Sequence, residues 1–290
     1  MEERDWLILT TLYETKNITK TAKALYISQP ALTNRLQQIE SEFKTRIVNR
    51  GSRGVSFTAS GEHLVNYAQE MQFRLRETKE AVSNYDNRVS GTLRIGASRF
   101  IGRHKLPQML SEFKVQYPDV NFNIMSGSSS DALELLNKRS SHVSFIRGGY
   151  FWNDGKDLLF REDICVASKT PFTLDELPSL PRIAFPLDKA TQMTLDSWWT
   201  MHFNTPPLVA ANVDSLDTCR ELVLCGLGYA LMPSTILSPE DGLCVYPITD
   251  ADGNPIARNN WLFYHKESLE LNMVRTFVDF AKSYDYLSGF

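Results

Sequence analysis

Gln29, Thr33, Asn34, Arg35 and Gln37 are the residues whose types and spacing point most directly to chemistry. They supply amides, a hydroxyl and a guanidinium, which hydrogen-bond base edges and phosphate oxygens. On a helix they lie opposite Leu32, Leu36 and Ile39, an apolar stripe at helical spacing. An ordinary solvated face carries Glu and Lys, but this one has no acid before Glu40. Ser28 suits an N-cap, and Pro30 falls in the first turn, where its missing N–H is not needed.

Several elements must hold that helix in position. Thr19–Tyr26 reads as a short helix with Ala22 and Leu25 inward, and Ala22 and Ala24 are small enough for two helices to cross closely. The tight connection Tyr26-Ile27 completes a helix-turn-helix whose second helix is placed to enter a major groove. Trp6, Leu9, Leu12 and Tyr13 supply a third helix. Ile47-Val48 and Val55-Ser56-Phe57 read as two strands around a Gly-rich turn, a wing that carries Arg50 and Arg53. Between Thr15 and Thr58 there are eight Lys/Arg against Glu40 and Glu42, a local net charge of +6 in a chain whose net charge is −3. A concentrated patch of that sign suits a phosphate backbone, so double-stranded DNA is the expected partner.

From Ala59 to about Asn87 there is no Pro, and no Gly after Gly61. Leu64, Ala68, Met71, Leu75, Thr78, Val82, Tyr85 and Val89 alternate at four and three residues, a heptad seam with mixed charge between. Such a helix would be about 45 Å long, more than a sixty-residue module can cover, and so reads as a dimerising linker.

Ser90-Gly91 breaks it. Strand at 92–98, helix at about 102–116, strand at 120–125, helix at 129–138 and strand at 142–146 predict an open parallel sheet. Leu158–Ser168 reads as a crossover into a second α/β lobe. There, strands are expected at 182–185, 208–211, 229–232 and 244–247, and helices at 190–202 and 215–225. Asn260–His265 returns the chain, and Ser268–Tyr284 is a final helix. Ligands of such sheets bind outside the carboxyl ends of strands, where helix N-termini favour anions. Those ends carry Ser98-Arg99-Phe100, Ser128-Ser129-Ser130, Arg147, Lys189-Ala190-Thr191-Gln192 and Asn212-Val213-Asp214. The serines serve equally well as helix N-caps. Arg147, at the end of a buried strand, needs a carboxylate, from Asp214 or from a ligand.

The run Asn17-Ile18-Thr19, Ala22, Leu25, Ser28 to Thr33, Leu36, Ile39-Glu40, then Arg50, Gly54-Val55, Thr58 and Gly61-Glu62, resembles the winged helix of LysR-type transcriptional regulators. Gly226-Leu-Gly-Tyr-Ala-Leu-Met-Pro233 and the order of later elements extend the resemblance along the chain. Phe43-Lys44 stands where the family usually has Leu-Gly, and Thr21-Ala22 where it has Ala-Ala. The resemblance implies an α/β chain with a winged helix-turn-helix at 1–58, a linker helix at 59–89 and a two-lobed effector domain at 90–290, similar to periplasmic binding proteins. Lobe I would be about 90–161 with 267–290, and lobe II about 162–266. It implies Gln29, Pro30, Thr33, Asn34, Arg35, Arg50 and Arg53 on DNA. It implies Ser98, Arg99, Phe100, Ser128, Ser129, Arg147, Thr191 and Asn212 around a small effector, a carboxylate among the candidates, with Ser98 and Thr191 reaching it from the two lobes. It further implies no cofactor or metal, a homodimer assembling into a homotetramer, and RNA polymerase as partner of an activator.

Other chemistries fit poorly. Gly96-Ala97-Ser98 begins like a nucleophile elbow, but Phe100 replaces its last Gly. Gly226-Leu-Gly-Tyr-Ala-Leu lacks the third Gly of a dinucleotide fingerprint. His63, His104, His142, His202 and His265 show no metal spacing. An enzyme is therefore not expected. Cys165, Cys219, Cys225 and Cys244 form no Cys-x-x-Cys. A redox-sensing variant would use Cys219 and Cys225, but a six-residue offset turns them roughly 120° apart on one helix, which would have to melt. The acidic N-terminus has no apolar run behind it, and the longest apolar stretch, around Leu222–Met232, is broken by two glycines. A cytoplasmic protein without a membrane span is expected.

Overall fold

The computed structural model describes residues 1–51, 54–83 and 89–287; for Arg50, Glu77, Glu80, Ala81 and Ser83 only the backbone is described. Two compact units emerge, Met1–Gly91 with Asn137–Ser141, and Thr92–Leu136 with His142–Phe290.

In the first unit α1 (Glu3–Thr15), α2 (Ile18–Ala24) and α3 (Gln29–Glu42) precede a hairpin of β1 (Val48–Gly51) and β2 (Gly54–Phe57), then α4 (Ala59–Ser83). Both α2 and α3 start on a side-chain cap. Asn17 accepts from the Lys20 N–H at 2.9 Å, and the Ser28 hydroxyl from the Ala31 N–H at 3.3 Å. Tyr26 turns the chain between α2 and α3 at φ 54°, and Lys44 turns it after α3 at φ 49°. Leu9, Leu12, Leu32, Leu36, Ile39 and Ile47 form one core. α4 approaches that core so closely that a Cβ on Gly61 would lie 2.1 Å from the Ile47 carbonyl oxygen.

The expected linker seam needs a correction. Leu64 and Ala68 are buried in the winged-helix core together with Val65, because the first turns of α4 close that core against α1. The outward stripe begins only at Met71 and continues through Leu75, Thr78 and Val82, the last 66 % exposed. Tyr85 lies outside the described residues. At 25 residues, α4 as described is about 37 Å long.

The second unit contains β3 (Gly91–Ser98), α5 (Arg99–His104), α6 (Leu106–Gln116), β4 (Val120–Gly127), α7 (Ser129–Asn137), β5 (Val143–Arg147) and β6 (Gly155–Ser168). It continues through β7 (Arg182–Ala184), α8 (Lys189–His202), β8 (Val209–Asn212), α9 (Leu216–Leu224) and β9 (Ala230–Pro233). β10 (Cys244–Pro247), β11 (Ala257–Tyr264) and α10 (Asn272–Ser283) complete it. The main sheet runs β10-β6-β11-β5-β3-β4, with β9 also on β6, while β7 and β8 form a separate parallel pair. This is a mixed sheet, not the parallel one expected. β3 and β5 are parallel, but β11 pairs antiparallel with both β5 and β6. The crossover and return strands expected from the sequence are β6 and β11, but their antiparallel pairing is one that hydrophobic runs do not reveal.

Two predicted helices also divide. The 102–116 helix is α5 and α6, separated at Lys105, and the last helix is a 3-10 turn at Lys266–Glu270 followed by α10. β6 carries one surplus residue: Asn260 faces Phe160 and Trp261 faces Leu158, leaving Leu159 between them. Before it Lys156 and Leu158 are exposed; beyond it Phe160, Glu162 and Ile164 are buried. No helix among the described residues is long and apolar enough to cross a membrane.

Candidate nucleic-acid interface and ligand cleft

α3 has two faces. Leu32, Leu36 and Ile39 are buried, whereas Gln29, Pro30, Asn34 and Gln37 are exposed and Thr33 is half-buried. The Thr19 hydroxyl donates to Gln29 Oε1 at 3.1 Å, tying α2 to the start of α3. Arg35 departs from expectation. Its Nε and Nη2 donate to the two carboxylate oxygens of Asp5 at 2.5 and 2.8 Å, and Nη1 donates to Gln38 at 3.0 Å. Asp5 is fully buried on α1. Burial pushes its carboxyl upward, but the Arg35 hydrogen bond and the Glu2 N–H outweigh that and hold it below the ordinary carboxylate range. Arg35 therefore clamps α3 to α1, because a buried acid captures the nearest guanidinium. Of the wing cations, the Arg50 side chain and all of Arg53 lie outside the described residues.

In the second unit a cleft of about 320 Å3 opens at the carboxyl ends of β3, β4 and β5. On one wall stand Ser98, Arg99 and Phe100, then Ser128, Ser129 and Ser130 at the start of α7, and Arg147. The other wall comprises Phe185 to Asp188 before α8, and Asp214 to Asp217 at the start of α9. The sequence thus brings six of its eight expected ligand residues together. Thr191 and Asn212 are the exceptions. Thr191 stands behind the wall, its hydroxyl donating to Asp188 at 2.7 Å. Asn212 ends β8, exposed, and the lining resumes only at Asp214.

The partner of Arg147 is neither Asp214 nor a ligand. Its Nε donates to Glu162 Oε1 at 2.8 Å, with Nη2 on the same oxygen, and Thr235 donates to the other carboxylate oxygen at 2.7 Å. The guanidinium also lies 3.9 Å over the Phe100 ring, and the Arg147 N–H donates to the Ser129 hydroxyl at 3.1 Å. Burial pulls Arg147 down to about 10, with Glu162 opposing. A parallel arrangement holds Asp188, which accepts from Arg258 at 3.0 Å, the Gly149 N–H at 3.1 Å and Thr191. At Gly148, φ is +96° and a Cβ would lie 2.1 Å from that carboxylate, so only glycine fits. Asp217 is held across the cleft by His104 at 2.9 Å and Arg103 at 3.6 Å.

Sequence reasoning missed Glu162, Asp188, Arg258 and Asp217. Asp188 had a local signal, an acid three residues before Thr191 at a helix start. The others are joined only by the fold. The Cys219–Cys225 alternative fares poorly. Cys219 is fully buried, with burial pushing its thiol up to about 12, while Cys225 is exposed past the end of α9. Six residues of helix separate them by about 9 Å, beyond disulfide reach. Among the described residues no three His, Cys, Asp or Glu group to hold a metal.

Residues 4–62 match the model of the bacterial regulatory helix-turn-helix protein, lysR family, and residues 86–285 that of the LysR substrate binding domain. The chain is 38 % identical to the uncharacterized HTH-type transcriptional regulator YraN of Bacillus subtilis (strain 168), over 97 % of this chain and 98 % of that protein. To YkuM of the same organism, also an uncharacterized HTH-type transcriptional regulator, it is 31 % identical over 97 % of both. Among solved structures, a full-length variant of OxyR from Pseudomonas aeruginosa shares the fold at TM-score 0.70 and 19 % identity, covering 99 % of this chain and 96 % of that one. Full-length CbnR complexed with its target DNA does so at TM-score 0.66 and 16 % identity, covering 97 % and 99 %. With both family models matched and relatives of 38 % and 31 % identity along nearly its whole length, the chain belongs to the LysR family of transcriptional regulators.

Proposed function

We propose that the chain reads double-stranded DNA in a sequence-specific way and that a small molecule in the cleft controls this. The observation that carries the proposal is the division of labour on α3. Leu32, Leu36 and Ile39 serve the core, so Gln29, Pro30, Thr33 and Asn34 are left for the groove. Arg50 and Arg53 would grip phosphates from the wing. The outer stripe of α4, from Met71 to Val82, would pair two copies, and two dimers would form a tetramer reading a two-fold site. RNA polymerase would be the further partner of an activator, and the cytoplasm the place of action. Ser98, Arg99, Phe100, Ser128, Ser129 and Arg147 would surround the effector, with Thr191 positioning Asp188 behind them. The effector acts by binding one arrangement of the oligomer better than another.

The test is a gel-shift titration of the full chain on duplex from upstream of its own gene against a scrambled duplex. Tighter binding to the first is expected, with affinity for both falling steeply as salt rises from about 50 to 200 mM. Equal, salt-independent binding would reject the reading.

A further inference from the structure

We infer that the cleft takes a zwitterion, an α-amino acid, with its carboxylate on the Ser98 wall and its ammonium on Asp214. The inference rests on the effector reading above and concerns what that site prefers.

Most charges of the cleft are already matched. Arg147 is committed to Glu162, Arg258 to Asp188, and Asp217 to His104 and Arg103. These pairs neutralise one another and leave two charged groups on the lining. Arg99 is exposed on one wall and Asp214 on the other, and among the described residues neither has a hydrogen bond or ion pair. Beside Arg99 the Ser98 hydroxyl is 95 % buried and has no hydrogen-bond partner among the described residues, although buried hydroxyls are normally satisfied. α7 opens onto the same wall, adding the positive end of its dipole.

A donor-rich wall, on which Arg99 makes no ion pair and has Asp131 of α7 as its electrostatic neighbour, thus faces a wall with one acid that makes none. A simple carboxylate would satisfy Ser98 and Arg99 but leave Asp214 unpaired as the cleft dries. A simple amine would leave the opposite wall unsatisfied. A molecule carrying both charges one carbon apart matches both walls and adds no net charge. Phe100, Phe185, Leu187 and Leu216 supply apolar surface for a side chain.

Full-length protein would be titrated calorimetrically with each of the twenty L-amino acids. Each binder would then be compared with its deaminated acid and its methyl ester. An amino acid should bind at least tenfold tighter than either analogue. Asp214→Asn should erase the advantage over the deaminated acid, and Ser98→Ala should weaken both acids at least fivefold. A deaminated acid that binds as well as the amino acid, or simple carboxylates that bind where no amino acid does, would overturn the zwitterion while leaving an effector cleft in place. Failure of both classes would overturn the zwitterion and count against the effector reading itself.

Discussion

The face of α3 and the cleft of the second unit use polar side chains in opposite ways. On α3 the outward polar groups are exposed or half-buried and make few internal bonds, so the core would form without them. In the cleft most charged groups are buried and bonded to one another, with Arg99 and Asp214 left exposed. Arg147 with Glu162, and Arg258 with Asp188, are all under 10 % exposed. In the proposed function, one surface would act because the fold leaves it alone, the other because the fold is built through it. The first should therefore tolerate substitution at a cost in binding, and the second should not.

The largest expected effect sharpens that contrast. Glu162→Ala leaves Arg147 buried without its carboxylate and should cost about 3–5 kcal/mol. Urea unfolding followed by tryptophan fluorescence would show it, since four of the five tryptophans, all but Trp6, lie in the second unit. An unchanged transition would break the comparison. Leu36→Ala should follow at about 3 kcal/mol from the cavity it leaves, read by circular dichroism of the helical transition.

Arg35→Ala comes third, at about 1–2 kcal/mol, because Asp5 is buried but the guanidinium is partly in water. Asp5 titrates below its ordinary 3.8, so the pair stabilises fully above that pH and the contribution is lost as pH falls through the lower folded-state value. The gap between wild type and Arg35→Ala should be constant from neutrality to about pH 4 and narrow below it. A gap that widens in acid would contradict the assignment. Smallest in stability is Asn34→Ala, expected within about 0.5 kcal/mol of wild type in unfolding. The same change should cost about 1–3 kcal/mol of discrimination between operator and scrambled duplex, measured by gel shift. If Asn34→Ala leaves discrimination intact, Asn34 takes no part in reading the duplex.

The same contrast explains what could be read from the residues alone. The faces of α3 follow from periodicity, a local property, and Ser28 and Pro30 mark its start. The six cleft residues could be placed because strand ends converge in any such sheet. Arg147 could be seen to need a carboxylate, but not which one. Glu162 is 15 residues away, on a strand whose antiparallel partner β11 arrives only after residue 256. The Asp5 partner of Arg35 was missed for the same reason, since it lies 30 residues earlier and reads locally as a helix-start acid. The linker seam failed differently: Leu64 and Ala68 have the right spacing, but spacing does not say which neighbour a stripe meets.

Leu159 has a consequence out of proportion to its place. Up to it, even-numbered side chains of β6 point to water; after it, even-numbered side chains point inward. Were Leu159 paired in the ladder like its neighbours, the strand would keep its original phase, and every side chain beyond would be delivered to the wrong side of the sheet. Glu162 would face solvent, Arg161 would be driven inside, and Arg147 would meet a second cation where it now meets an acid. Whether one aliphatic residue stands in the ladder or steps out of it thus decides the electrical sign of the chamber's floor.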